Sequence, residues 1–337
     1  MIKLDFEHKQ SAHCESGVTR NLLNYHGLNI TEPLVFGIGA GLFFTYLPFL
    51  KMGNNPTFSF RVWPGQVFKR TAHELGIQYY FKTFKDQKES MDSLISALDK
   101  GYPVGVTTGV FFLPHFPKEY RTNFNGHNMV IFGYENNRFY VSDTVIEKRV
   151  EISYDDLMRV RFAQGAMAPK GRMYYPSDVP KEIDLRKPIL AGIKKTANNI
   201  TGVPFPYIGA KGIRKLSKHM RSWETKLGAD TAAIYLTALL QLEEEFGTGG
   251  AGFRFLYGAF LSEAAEILNK PALKELSGEM GETANKWREF SYFGSKNCKK
   301  RAKPEESWDK LAEILLDIAG REEKIFRSLA RIAAEKV

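Results

Sequence analysis

The chain has 337 residues, 43% of them hydrophobic and 25% charged, with a formal net charge of +9. That length exceeds one ordinary domain and predicts two, each able to bury its own core, and the composition excludes a disordered chain. Two cysteines, Cys14 and Cys298, are too few and too far apart for a disulfide framework, so free thiols in a reducing compartment are expected.

The opening decapeptide, MIKLDFEHKQ, lacks the apolar stretch of an export signal, which makes the cytoplasm the expected location. From Cys14 to His26 the apolar side chains Cys14, Val18, Leu22 and Tyr25 share one helical face, and Gly27 sits where a C-terminal cap belongs. The pattern predicts a helix with Cys14 in its first turn. Next comes LVFGIGAGLFFTYLPFL, Leu34 to Leu50, which is broken by glycines and a proline and falls short of the ~20 residues of a membrane span. We read it as a buried segment lining a core or cleft. Pro64 opens a second helix that Gly76 closes, and Asp86 to Gly101 reads as a third. IQYYFKTF, YPVGVTTGVFF, NMVIFGY and RFYVSD are predicted strands. The last two are joined across Glu135, Asn136 and Asn137, and because asparagine tolerates positive φ they form an antiparallel hairpin. Ser153 with Asp156 makes a capping box for a further helix. A polar, proline-punctuated connector, PSDVPKEIDLRKP, then marks a boundary, and the signals beyond it are helical. The expected organisation is α+β, with residues 1–178 holding an antiparallel sheet and residues 179–337 all helical.

A cysteine at a helix start meets the positive end of the helix dipole, which favours thiolate, and the backbone N–H groups there can hold an oxyanion. Equally, cysteine is among the most buried residue types, and Cys14 shares a face with Val18 and Leu22. The segment FNGHNMVIFGYENNRFYVSDT adds a base: it sets His127 at the start of one hairpin strand and Asp143 at the far end of the next. Hairpin pairing brings the two together, so that Asp143 fixes the imidazole tautomer and His127 deprotonates a thiol supplied from elsewhere. A cysteine on the first helix with His and acid on later strands is the papain-type order. Cys14, His127 and Asp143 are the expected catalytic residues.

HCESGVTRNLLNYHG, EPLVFGIGAGLFFTY, GHNMVIFGY and FGTGGAGFR together resemble the butirosin-biosynthesis side-chain acyltransferase family over nearly the whole chain. The resemblance implies a papain-like N-terminal domain, a helical C-terminal domain, and transfer of an acyl group from an acyl-carrier-protein thioester to an amine. It also implies that the phosphopantetheine thioester of the carrier is the acyl donor and that no cofactor is bound. The N-terminal part is similar to the bacteriocin-processing cysteine peptidases, so a peptidase or amidase using the same residues is the alternative. Those peptidases carry an oxyanion-hole Gln six residues before the cysteine, where this chain has His8; Gln10, out of register, is the candidate donor.

GIGAG at Gly37 to Gly41 has its third glycine one position early for a dinucleotide fingerprint and no acid about 20 residues on. The stretch is therefore read as a close-packed, backbone-exposing wall beside the Cys14 helix, with Gly39 and Gly41 as candidates to line an acyl or pantetheine channel. In FGTGGAGFR, Gly249 and Gly250 precede a helix and Arg254 follows, a pattern able to hold a phosphate. Basic residues cluster from Lys211 to Lys226 and in CKKRAK, Cys298 to Lys303. Such runs are most often solvated faces, and as a functional partner an acidic carrier protein fits them best; no nucleic-acid module accompanies them, and the seven scattered histidines show no metal-ligand spacing.

Overall fold

The computed structural model describes residues 2–245 and 247–335. In chain order the elements begin with β1 (Ile2–Lys3), α1 (Cys14–Tyr25), α2 (Glu32–Ile38), β2 (Leu42–Met52), β3 (Asn55–Arg61), α3 (Gln66–Glu74) and β4 (Gln78–Lys82). Then come α4 (Gln87–Asp99), β5 (Val104–Thr108), β6 (His127–Glu135), β7 (Arg138–Ser142), β8 (Val150–Ser153), α5 (Tyr154–Arg161) and β9 (Met173–Asp178). The remainder is helical: α6 (Arg186–Ala197), α7 (Gly209–Met220), α8 (Trp223–Leu227), α9 (Ala229–Leu240), α10 (Arg254–Leu268), α11 (Pro271–Cys298) and α12 (Trp308–Ala334).

Two compact units result, one of Met1–Val35 with Val67–Ile183 and the other of Phe36–Gln66 with Asp184–Val337. The first unit is built on an antiparallel sheet in the order β4-β9-β5-β6-β7-β8, with the short β1 also paired to β6. Successive residues of a strand face opposite sides, and β6 uses both. Val130 and Phe132 join Val18 and Leu22 of α1, Phe6 and Tyr174 in one core. Met129 and Ile131 join Met91 and Leu94 of α4 and Leu157 and Val160 of α5 in the other. Covered on both faces, the strand needs the unbroken apolar run that its sequence shows. The hairpin between β6 and β7 turns at Asn136 and Asn137, both at positive φ (47° and 62°), and Ser153 Oγ accepts from Asp156 N–H to cap α5, as the sequence predicts.

The second unit is helical except for the β2–β3 hairpin. Sequence patterning assigns residues 36–66 to the first domain, ahead of a boundary at 178, whereas the structure places them in the second unit, which resumes at Asp184. Packing supplies the reason. Phe44 and Phe60 of the hairpin lie with their rings 6.0 and 5.3 Å from that of Trp287 on α11, and Tyr46 N–H donates to the Tyr207 carbonyl at 3.0 Å. The glycines and β-rich residues of Leu34–Leu50, expected as one buried segment, thus divide between the end of α2 and the strand β2. Among the described residues no helix is long and apolar enough to cross a membrane.

Candidate active site

Everything described in this site belongs to the first unit. Helix α1 begins at Cys14, with His13 as the N-cap: its Nδ1 accepts from Ser16 N–H at 3.4 Å. The approach to that helix is fixed by Glu32, whose carboxylate accepts from Ala12 N–H (3.0 Å), His13 N–H (2.8 Å) and the Ser16 hydroxyl (3.0 Å). Burial pushes the Glu32 carboxyl pKa up, and these donors oppose the shift. Glu15, fully buried, accepts from Val67 and Phe68 N–H at 2.9 and 3.2 Å, in the first turn of α3, where a carboxylate meets the positive end of the helix dipole. Gly17 permits the closest approach: a Cβ there would stand 2.3 Å from Ser11 Oγ and 3.0 Å from Thr144 Oγ1. Ser11 N–H donates to the Thr144 carbonyl at 2.8 Å, so the segment leading into Cys14 is tied to the segment following Asp143.

The structure brings Cys14, His127 and Asp143 together. His127 opens β6 and its Nε2 lies 2.8 Å from Asp143 Oδ2. The ring also hydrogen-bonds the Cys14 thiol, and with Nε2 turned to Asp143 the nitrogen left for sulfur is Nδ1. All three side chains are buried, Cys14 being 6% exposed. Burial disfavours a charged imidazole, but Asp143 and then Cys14 outweigh it and raise the His127 pKa to about 10. The Asp143 carboxyl is pushed up by burial and is held, on balance, well below the usual carboxylate range by the two histidines beside it. The arrangement is an imidazolium–carboxylate pair with the Cys14 sulfur against it as thiolate, able to keep that sulfur nucleophilic and to return a proton to a leaving group.

Two side chains in the site escape sequence reasoning. His115, on the loop between β5 and β6, places Nε2 2.9 Å from the same Asp143 Oδ2. Asn128, next to His127, places its amide nitrogen 3.8 Å from Cys14 Sγ. His115 lies in an irregular stretch, LPHFP, where no period ties it to Asp143. Asn128 reads in sequence only as a strand residue.

Gln10 has an exposed side chain, and its carbonyl accepts from Arg20 at 3.1 Å. His8, at the Gln position of the peptidases, is 2.8 Å from Ser142 Oγ and 3.1 Å from the Ile146 carbonyl. Gly39 and Gly41 are buried within the second unit, where a Cβ at Gly41 would meet the Phe36 ring at 2.4 Å. Gly249 and Gly250 have φ of 67° and 84°, with the Arg288 guanidinium near Gly250; Phe246, which opens that motif, lies outside the described residues. Arg254 corrects its expected role. It is fully buried, its Nε and Nη2 donate to Glu322 at 2.8 and 3.0 Å, and its Nη1 donates to the Gly252 carbonyl at 2.7 Å, so the guanidinium is committed to the interior. Cys298 is half-buried with Sγ 3.7 Å from the Ala233 carbonyl, and burial raises its pKa. Among the described residues no group of three or more His, Cys, Asp or Glu side chains is arranged so that it could hold a metal ion.

The ion pair sets a pH window. His127 has a pKa above its ordinary 6.5, so its contribution to stability is complete below that pH and is lost as pH rises through about 10. Asp143 is depressed below 3.8, so its contribution is complete above that value and is lost as pH falls further. The stability lost in Asp143→Asn is therefore expected to be greatest between about pH 4 and 6.5 and to shrink towards pH 10. Urea unfolding of both proteins across that range measures it, and a pH-independent difference would show that the pair is not ionised in the fold.

Residues 13–144 match the family described as butirosin biosynthesis protein H, N-terminal. Residues 155–329, a little over half of the chain, match a domain of unknown function, DUF4872. No curated protein matches the sequence. Among solved structures, one described as a C39-like peptidase from Bacillus anthracis is similar, with 15% identity and a TM-score of 0.38 over 53% of this chain and 98% of that one. The chain belongs to the DUF4872 family, and the segment ahead of that domain is similar to the N-terminal domain of butirosin biosynthesis protein H.

Proposed function

We propose that the protein is a cysteine-dependent acyltransferase that moves an acyl group from the phosphopantetheine thioester of an acidic acyl carrier protein to an amine. The observation that carries the reading is the buried Cys14–His127–Asp143 constellation, with the His127 ring on the thiol and its Nε2 2.8 Å from Asp143. In the first half-reaction the Cys14 sulfur, its proton held on His127, attacks the thioester carbonyl carbon. The carrier's C–S bond breaks, and the departing thiolate takes the proton from His127. In the second, an amine nitrogen attacks the Cys14 acyl group and the C–S bond to Cys14 breaks, while the amine proton passes to His127. The thiolate–imidazolium pair is thereby restored. Acyl exchange between two thiols is nearly balanced in energy, so the protein's task is to keep water from the intermediate until the amine arrives. The family resemblance and the charge of +9 support an acidic carrier as donor.

Incubation with an acylated carrier protein and no amine is expected to add the mass of the acyl group to the Cys14-containing peptide. Added salt should slow acylation by the carrier as the Debye length falls from about 10 Å at 0.1 M towards about 3 Å at 1 M, while leaving a small uncharged thioester unaffected. Cleavage of a peptide or amide without any carrier-derived adduct would move the protein to the peptidase or amidase alternative.

A further inference from the structure

We propose that Asn128 is a catalytic residue whose side-chain N–H donates to the Cys14 sulfur and holds it as the thiolate; the inference rests on the reading of Cys14 as nucleophile. The orientation of the amide is fixed by its partners. The Gly126 carbonyl, which can only accept, lies 3.1 Å from Nδ2, and Nδ2 is also the atom 3.8 Å from Cys14 Sγ. At the other end Oδ1 accepts from the Tyr174 hydroxyl at 2.9 Å and the Thr107 hydroxyl at 3.4 Å. With one N–H on Gly126, the second is the donor left for sulfur. The residue is 1% exposed, so bulk solvent does not compete for that donor.

The consequence is that the sulfur is held from two adjacent positions of β6. His127 takes its proton, and Asn128 stabilises the charge left behind. Neither Gln10, exposed, nor His8, bound to Ser142 and Ile146, is placed to do this. No bond is made or broken at Asn128. Its effect is on the equilibrium between thiol–imidazole and thiolate–imidazolium, and a hydrogen bond to a charged acceptor displaces such an equilibrium by about 10- to 100-fold.

The test is the pH dependence of Cys14 alkylation by iodoacetamide, in which thiolate sulfur displaces iodide, read by mass spectrometry on the full-length protein. In Asn128→Ala the acidic limb of the rate profile should move up by about one to two pH units. Tyr174→Phe keeps the ring in its contacts with Phe68 and Phe81 and removes only the hydroxyl that anchors Oδ1, so it should shift the limb in the same direction by less. It also serves if Asn128→Ala does not fold. An unchanged limb in a folded Asn128→Ala, or in Tyr174→Phe where that is the only folded variant, overturns the proposal. A loss of acyl transfer with an unchanged alkylation profile overturns it too, in favour of a donor to the tetrahedral oxyanion. Wild-type Cys14 that alkylates no faster than free cysteine would instead overturn the nucleophile reading, and this proposal with it.

Discussion

Cys14→Ala is expected to abolish both acyl transfer and the acyl adduct, because no other described thiol has an imidazole against it: Cys298 contacts a backbone carbonyl in the other unit. His127→Ala should come close, losing on the order of 10²- to 10⁴-fold in kcat, the usual contribution of a positioned acid–base. A cysteine without its base still ionises in part, so a residue of activity that rises with pH is expected to survive. Asp143→Asn should be milder than His127→Ala, since Asp143 orients and charges the ring without itself moving the proton. The second histidine refines this expectation. With His115 Nε2 and His127 Nε2 on the same Oδ2, an amide oxygen at position 143 keeps an acceptor for both rings and loses only the charge. Equal rates for wild type and Cys14→Ala, measured as amine acylation with a carrier-bound donor, would end the enzyme reading.

The legible part of this site is the part that local rules write. A helix start at Cys14 follows from apolar spacing and Gly27, and the proximity of His127 to Asp143 follows from a hairpin whose turn asparagines sit at positive φ. What could not be read is lateral. Asn128 meets Cys14 because α1 lies on the face of the sheet that Val130 and Phe132 share, and a strand register alone does not say which helix covers which face. His115 reaches Asp143 from an irregular loop, where no period exists to reveal it. The β2–β3 hairpin was likewise legible as buried but not as belonging with α11, because the side chains that claim it, Trp287 above all, lie more than 200 positions along the chain. GTGGAGFR is the opposite case: a local pattern suggested a phosphate cradle, and a partner 68 residues away, Glu322, took the guanidinium.

That reassignment of Arg254 carries the largest expected effect on stability. Its side chain and that of Glu322 are both fully buried and meet through two hydrogen bonds of 2.8 and 3.0 Å, while Trp287 Nε1–H donates to Glu322 Oε1 at 3.0 Å. Two charges withdrawn from water are tolerable only as a pair, and removing one strands the other. Glu322→Ala should therefore destabilise the second unit by about 3–5 kcal/mol, leaving a buried guanidinium and an indole N–H without their acceptor. Replacing both partners by hydrocarbon, as in Arg254→Met with Glu322→Leu, should cost much less than Glu322→Ala alone, since it removes the stranded charge along with the attraction. Urea unfolding followed by tryptophan fluorescence reads the difference, with the midpoints ranked wild type, double variant, Glu322→Ala. The same series decides between the two roles of Arg254. A guanidinium that holds a carrier phosphate would, when changed to methionine in the double variant, raise the KM for acylated carrier without moving the midpoint; one that closes the interior moves the midpoint and leaves that KM in place.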